Sequence, residues 1–100
     1  MNTTIEAQVV RRSSNTNSFG LREHIIVCRN GYAFKACRSA YVPDAEDYTA
    51  GSPLSIVLRD FDPKEHGIEL AINTALHARG FELVQSTAKC PTEVLAEIFN

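Results

Sequence analysis

The sequence predicts a single α+β domain over residues 1–100, a two-layer arrangement of a mainly antiparallel sheet of four or five strands with two helices packed on one face. Three observations lead there: a hairpin signature at Asn30-Gly31, two-residue alternation of apolar side chains in several short runs, and a helix-start signal at Asp62-Pro63. One hundred residues with 44% hydrophobic content suit one core, and no shift in composition marks an internal boundary. The expected element order is β-β-β-β-α-β-α.

The first strand is expected from Ile5 to Arg11, with Ile5, Ala7 and Val9 on one side and Val10 belonging clearly to neither face. Residues 12–20 are small, polar and unpatterned, and with residues 1–4 and 41–53 they form the segments expected to be flexible. Within the first of these connections, Arg11-Arg12-Ser13-Ser14 matches the short pattern of basic-directed kinase substrates, a match that arises often by chance.

Arg22 to Arg38 reads as a hairpin in which Asn30 and Gly31 supply the two positive-φ positions of a type I′ turn. A two-residue loop pairs Val27 with Phe34, Ile25 with Ala36 and His24 with Cys37. Ile25, Val27, Tyr32, Phe34 and Ala36 then share the core face, while His24, Ile26, Cys28, Ala33, Lys35 and Cys37 share the other. A three-residue loop is the alternative, and it separates apolar from polar positions less cleanly.

Leu54 to Asp60 alternates Leu54, Ile56 and Leu58 against Ser55, Val57 and Arg59, as a half-buried strand does. Asp62 as cap, Pro63 at the first helical position and Glu65 three residues after the cap predict a helix from Pro63 to about Arg79, with Gly67 delaying its regular part to about Ile68. Ile68, Ala71, Ile72, Ala75 and Leu76 make its apolar stripe, and Gly80 stops it. Phe81–Gln85 is expected as a short strand and Pro91–Phe99 as a second helix.

The function classes narrow mostly by exclusion. Three cysteines, no basic-apolar leader and no apolar run of about 18 residues point to reduced thiols in a cytoplasmic protein. No metal site is expected, because Cys28 and His24 stand ~13 Å apart along one strand, and His66 and His77 ~16 Å apart along one helix. The five glycines are dispersed, so no phosphate-cradling loop and no cofactor are expected. His24 opposite Cys37 is the one arrangement that suggests nucleophilic chemistry, but nothing in the sequence orients the imidazole or supplies an oxyanion donor.

Charge is unevenly spread: residues 1–40 hold six cations against two acids, and residues 41–100 hold four against ten, for a net charge of −2. The expectation that follows is a small non-enzymatic protein, a regulator, adaptor or inhibitor of the kind mobile elements carry, that occupies another protein's surface. The residues expected to contact it are Arg29, Lys35 and Arg38 with Tyr41, Asp44, Asp47 and Tyr48. Tyr41 and Tyr48 also suit a structural role, covering the sheet with their rings. The alternative is a nucleic-acid-binding module whose phosphate contacts are Arg11, Arg12, Arg22, Arg29, Lys35 and Arg38. A sequence pI of about 5.9 weighs against the alternative.

Overall fold

The computed structural model describes residues 2–39, 48–86 and 89–99. They form an α+β domain of β1 (Thr3–Arg12), β2 (Leu21–Cys28), β3 (Ala33–Ser39), β4 (Pro53–Leu58), α1 (Ile68–Ala78), β5 (Glu82–Ser86) and α2 (Thr92–Phe99). The five strands make one antiparallel sheet in the order β4-β1-β2-β3-β5, so β2 is its centre and β4 and β5 its edges. No helix among the described residues is long and apolar enough to cross a membrane.

The hairpin is where the expected register fails. Ile26 lies opposite Phe34, His24 opposite Ala36 and Val27 opposite Ala33, one residue away from the expected pairing. The loop is Arg29-Asn30-Gly31: Gly31 N–H donates to Cys28 O at 2.9 Å, and Cys28 N–H donates to Tyr32 O at 2.7 Å. A type I′ turn needs positive φ at both central residues, whereas here Gly31 alone takes it, at 104°. This is a three-residue loop whose glycine absorbs the strand crossing, as in type I turns followed by a bulge.

The slip exchanges the faces of β2. His24, Ile26 and Cys28 now join Phe34 and Ala36 against the core, and Ile25 and Val27 join Ala33, Lys35 and Cys37 on the outer face. Tertiary packing accounts for the choice, because Ala7 and Val9 of β1 align with Cys28 and Ile26 and extend the same apolar row. Val27 is nevertheless buried.

Elsewhere the alternation holds. Ile5, Ala7 and Val9 face the core, and the pairing register shifts between Val9 and Arg11, so Val10 occupies a bulge. The bulge carries Arg12 opposite His24. Leu54, Ile56 and Leu58 are buried while Val57 points outward. The 13–20 connection is tied by Asn17, whose Oδ1 accepts from the N–H groups of Phe19 and Leu21 at 2.9 and 3.0 Å.

Regular helix begins at Ile68, as the glycine at position 67 implies. Asp62 caps an isolated turn instead, accepting Lys64 N–H on its side chain at 2.9 Å and His66 N–H on its carbonyl at 2.8 Å. Ile72 and Leu76 are fully buried, with Ile68, Ala71 and Ala75 packed beside them. The helix ends in a Schellman motif: Gly80, at φ 89°, donates to His77 O, and Phe81 donates back to Leu76 O, each at 3.0 Å. Phe81 is thereby delivered into the core beside Leu76. α2 has no buried residue and meets the sheet at the hairpin turn, where Cys90 N–H donates to Gly31 O at 2.7 Å.

Candidate functional site

Among the described residues, the cations expected in a docking or phosphate-binding surface lie on both sides of the sheet. Strand alternation puts Arg12, Arg22 and Arg38 on the core side at one end of the sheet and Arg11 and Lys35 on the outer side, while Arg29 lies in the hairpin loop. Arg22 Nη1 donates to the carbonyls of Ser13 and Ser14 at 3.4 and 3.2 Å. Lys35 Nζ pairs with Glu23 at 3.2 Å, and the Arg29 guanidinium lies 5.8 Å from the Phe99 ring centre.

Tyr48 is part of the core. Its ring packs against Phe81 with centroids 5.2 Å apart, and the guanidiniums of Arg38 and Arg79 lie over it at 4.9 and 5.8 Å. It thus covers the sheet, the structural role open to it from sequence. Tyr41, Asp44 and Asp47 lie outside the described residues.

His24 and Cys37 do not meet. The observed register sets His24 opposite Ala36 and Cys37 opposite Glu23, on different faces of the sheet. The histidine is a core residue: Nδ1–H donates to Arg22 O at 3.1 Å, and the ring stands edge-on to Phe81 at 5.3 Å. Burial, followed by the charges of Arg12, Arg38 and Arg22, lowers its pKa and favours the neutral ring. Burial also pushes the Cys28 thiol up to about 12. Cys37 moves in the same direction through burial and the nearby Glu23 carboxylate. Neither thiol gains the thiolate character a nucleophile needs. All three cysteines are free, and no cluster of metal-ligating side chains occurs among the described residues.

What sequence reading missed is a groove of about 580 Å³ between α1 and the outer edge of β4. Ile56 and Leu58 border it on the strand, and Leu70, Ala71 and Thr74 on the helix, with Phe61 and His66 toward the start of α1. Leu70 is 69% exposed and Val57, beside the groove on β4, 43% exposed. Ser52 O accepts from Val9 N–H at 2.9 Å, which fixes the phase of the antiparallel ladder. Leu54, Ile56 and Leu58 accordingly direct their backbone groups to β1, and Ser55 and Val57 direct theirs away. Arg79 reaches this edge, its Nη1 donating to Ser55 O at 2.7 Å. Two signals for the groove were in the sequence: Leu70, off the core stripe of its helix, and Val57, on the polar side of its strand.

No family model matches the chain, and no curated protein or solved structure is similar enough to count as a relative.

Proposed function

We propose that this chain is a small non-enzymatic protein that acts by binding another protein, as a regulator, adaptor or inhibitor working in the cytoplasm. The observation that carries the reading is the apolar groove beside β4, an edge strand of the described sheet, with Leu70 and Val57 exposed around it. Exposed apolar surface beside a sheet edge invites association, and small domains ordinarily blunt or cover it. Three free thiols agree with a reducing compartment. The nucleic-acid reading has less support, because five of its six cations are divided between the two sides of the sheet and the sixth, Arg29, lies in the hairpin loop.

Capture from the native host tests the proposal, with tagged wild type and Leu70→Glu as baits and an unrelated domain of similar charge as control. Wild type is expected to retain at least one protein that the control does not, and Leu70→Glu to lose it while keeping the wild-type circular dichroism spectrum. Retention by wild type no better than by the control overturns the reading.

A further inference from the structure

We infer that the turn from Phe61 to His66 is a proton-operated latch at one end of the groove: the neutral His66 ring holds the turn closed, and protonation of the ring releases it. The inference goes beyond the protein-binding reading and does not depend on what occupies the groove.

The turn hangs between two points where the chain changes direction. Asp60 takes a left-handed φ of 53° just after β4, and Gly67, with open space where a Cβ would stand, precedes α1. Regular helix begins only at Ile68, so the intervening segment closes on itself. Asp62 Oδ1 accepts from Lys64 N–H at 2.9 Å, and Asp62 O accepts from Glu65 and His66 N–H at 3.0 and 2.8 Å. These bonds are indifferent to the charge on an imidazole. The fourth is not: Asp62 N–H donates to His66 Nδ1 at 2.9 Å.

A ring nitrogen that accepts a hydrogen bond offers its lone pair, so the neutral ring carries its own proton on Nε2. The next proton binds at Nδ1, the atom that holds Asp62 N–H. Two N–H groups then face each other, the bond is lost, and the Asp62 N–H turns to water. His66 is exposed, which gives solvent protons direct access to the ring. The charged groups around it are Asp62, Lys64 and Glu65 of the turn itself, Arg59 and Asp60 after β4, and Glu69 in the first turn of α1. A protonated ring is drawn toward the carboxylates of Asp62 and Glu65 and away from the backbone N–H.

Phe61 is what the latch moves. Its ring lies 6.0 Å from that of His66, packs against the margin of the core and lines the groove together with His66. The N–H held by His66 belongs to the planar peptide that joins Phe61 to Asp62, so losing that bond frees the plane and the phenyl group attached to it.

Heteronuclear NMR of the full chain tests this with wild type, His66→Gln and His77→Gln. At alkaline pH the His66 ring of wild type is expected as the Nε2–H tautomer. As pH falls across the imidazole range, about pH 8 to 5, the Asp62 amide and the Phe61 ring are expected to shift with the midpoint of the His66 ring. Protection of the Asp62 N–H from solvent exchange, corrected for the intrinsic effect of pH, is expected to fall about tenfold. His66→Gln is expected to lose this step and His77→Gln to keep it. An Nδ1–H tautomer overturns the inference, and that readout, taken on wild type, is independent of how either variant folds. A step that survives in His66→Gln or vanishes in His77→Gln, an Asp62 amide that does not follow the ring, or a Phe61 ring that stays still while the amide moves each overturn it as well. Host capture reports on the protein-binding reading alone: its failure leaves the latch standing, and failure of the latch leaves that reading standing.

Discussion

The two faces of the β2–β3 hairpin are nearly matched in apolar content yet have different fates. On one, His24, Ile26, Cys28, Phe34 and Ala36 are buried against β1 and α1. On the other, Val27 and Ala33 are buried near the turn, while Ile25 is only half-buried and Glu23 and Lys35 pair toward the surface. What separates the faces is the lysine more than the hydrophobes. Lys35 and Phe34 are neighbours on β3 and must point apart, so the face opposite Lys35 receives the helix. The lesson is that β3 names the buried side while β2 can present apolar groups to either, because Ile25-Ile26-Val27-Cys28 is apolar throughout and its register is settled by the packing of Ala7 and Val9.

The comparison breaks most directly by truncation on each side. Phe34→Ala is expected to cost about 3–5 kcal/mol in urea unfolding, the usual cost of emptying a fully buried aromatic site. Ile25→Ala is expected to cost about 1 kcal/mol, since its side chain is already partly wet. Equal costs would mean that the faces are assigned wrongly. Next comes the turn. Gly31→Ala forces a side chain into positive φ for about 1–2 kcal/mol, and the effect is strain alone, because an added Cβ lies 3.8 Å from Leu95, an ordinary contact. A two-residue type I′ loop would make Asn30 sensitive as well, so comparing Asn30→Ala with Gly31→Ala discriminates the two turns.

Acid sharpens the comparison further. His24 is buried with its pKa lowered from 6.5, so as pH falls the unfolded chain takes up the proton first. The stability tied to its neutral ring is therefore complete above about pH 6.5 and is lost as pH falls through the lowered folded value. Urea midpoints at pH 7.5 and 5.5 are expected to differ more for wild type than for His24→Gln, and identical shifts would remove His24 from the core. The smallest effect belongs to the outer face: Lys35→Ala is expected to change stability by no more than about 0.5 kcal/mol, because its ion pair with Glu23 is exposed and screened.

Much of the fold was legible because single residues had one compatible place. Leu54, Ile56 and Leu58 alternate with polar partners and admit one face. Ile72 and Leu76, with Gly80 behind them, admit one helix side and one end. The hairpin register was illegible for the opposite reason: an unbroken apolar run fits either face, and the packing of Ala7 and Val9 settles it from a distance. Asp62 formed its turn with other partners than the expected capping box, its side chain accepting from Lys64 and its N–H donating to His66 Nδ1 at 2.9 Å, and that turn did not extend into α1, which begins after Gly67. The groove was illegible because it depends on strand order: Leu70 and Val57 each stand out locally, but only with β4 at an edge do the outer side of α1 and the margin of β4 border one groove.

The position of β1 carries one more consequence, for a chain emerging from the ribosome. β1, β2 and β3 follow one another in sequence and lie side by side, so each can pair as soon as its successor appears. β4 closes against the far side of β1 across the whole meander, matching Thr3 with Leu58 and Ala7 with Leu54. Until residue 58 has been made, β1 is a bare border with nothing beyond it. A nascent chain stalled between β3 and β4 is then the form most exposed to chaperones and to other unfinished copies, and synthesis through β4, Pro53 to Leu58, is what seals it.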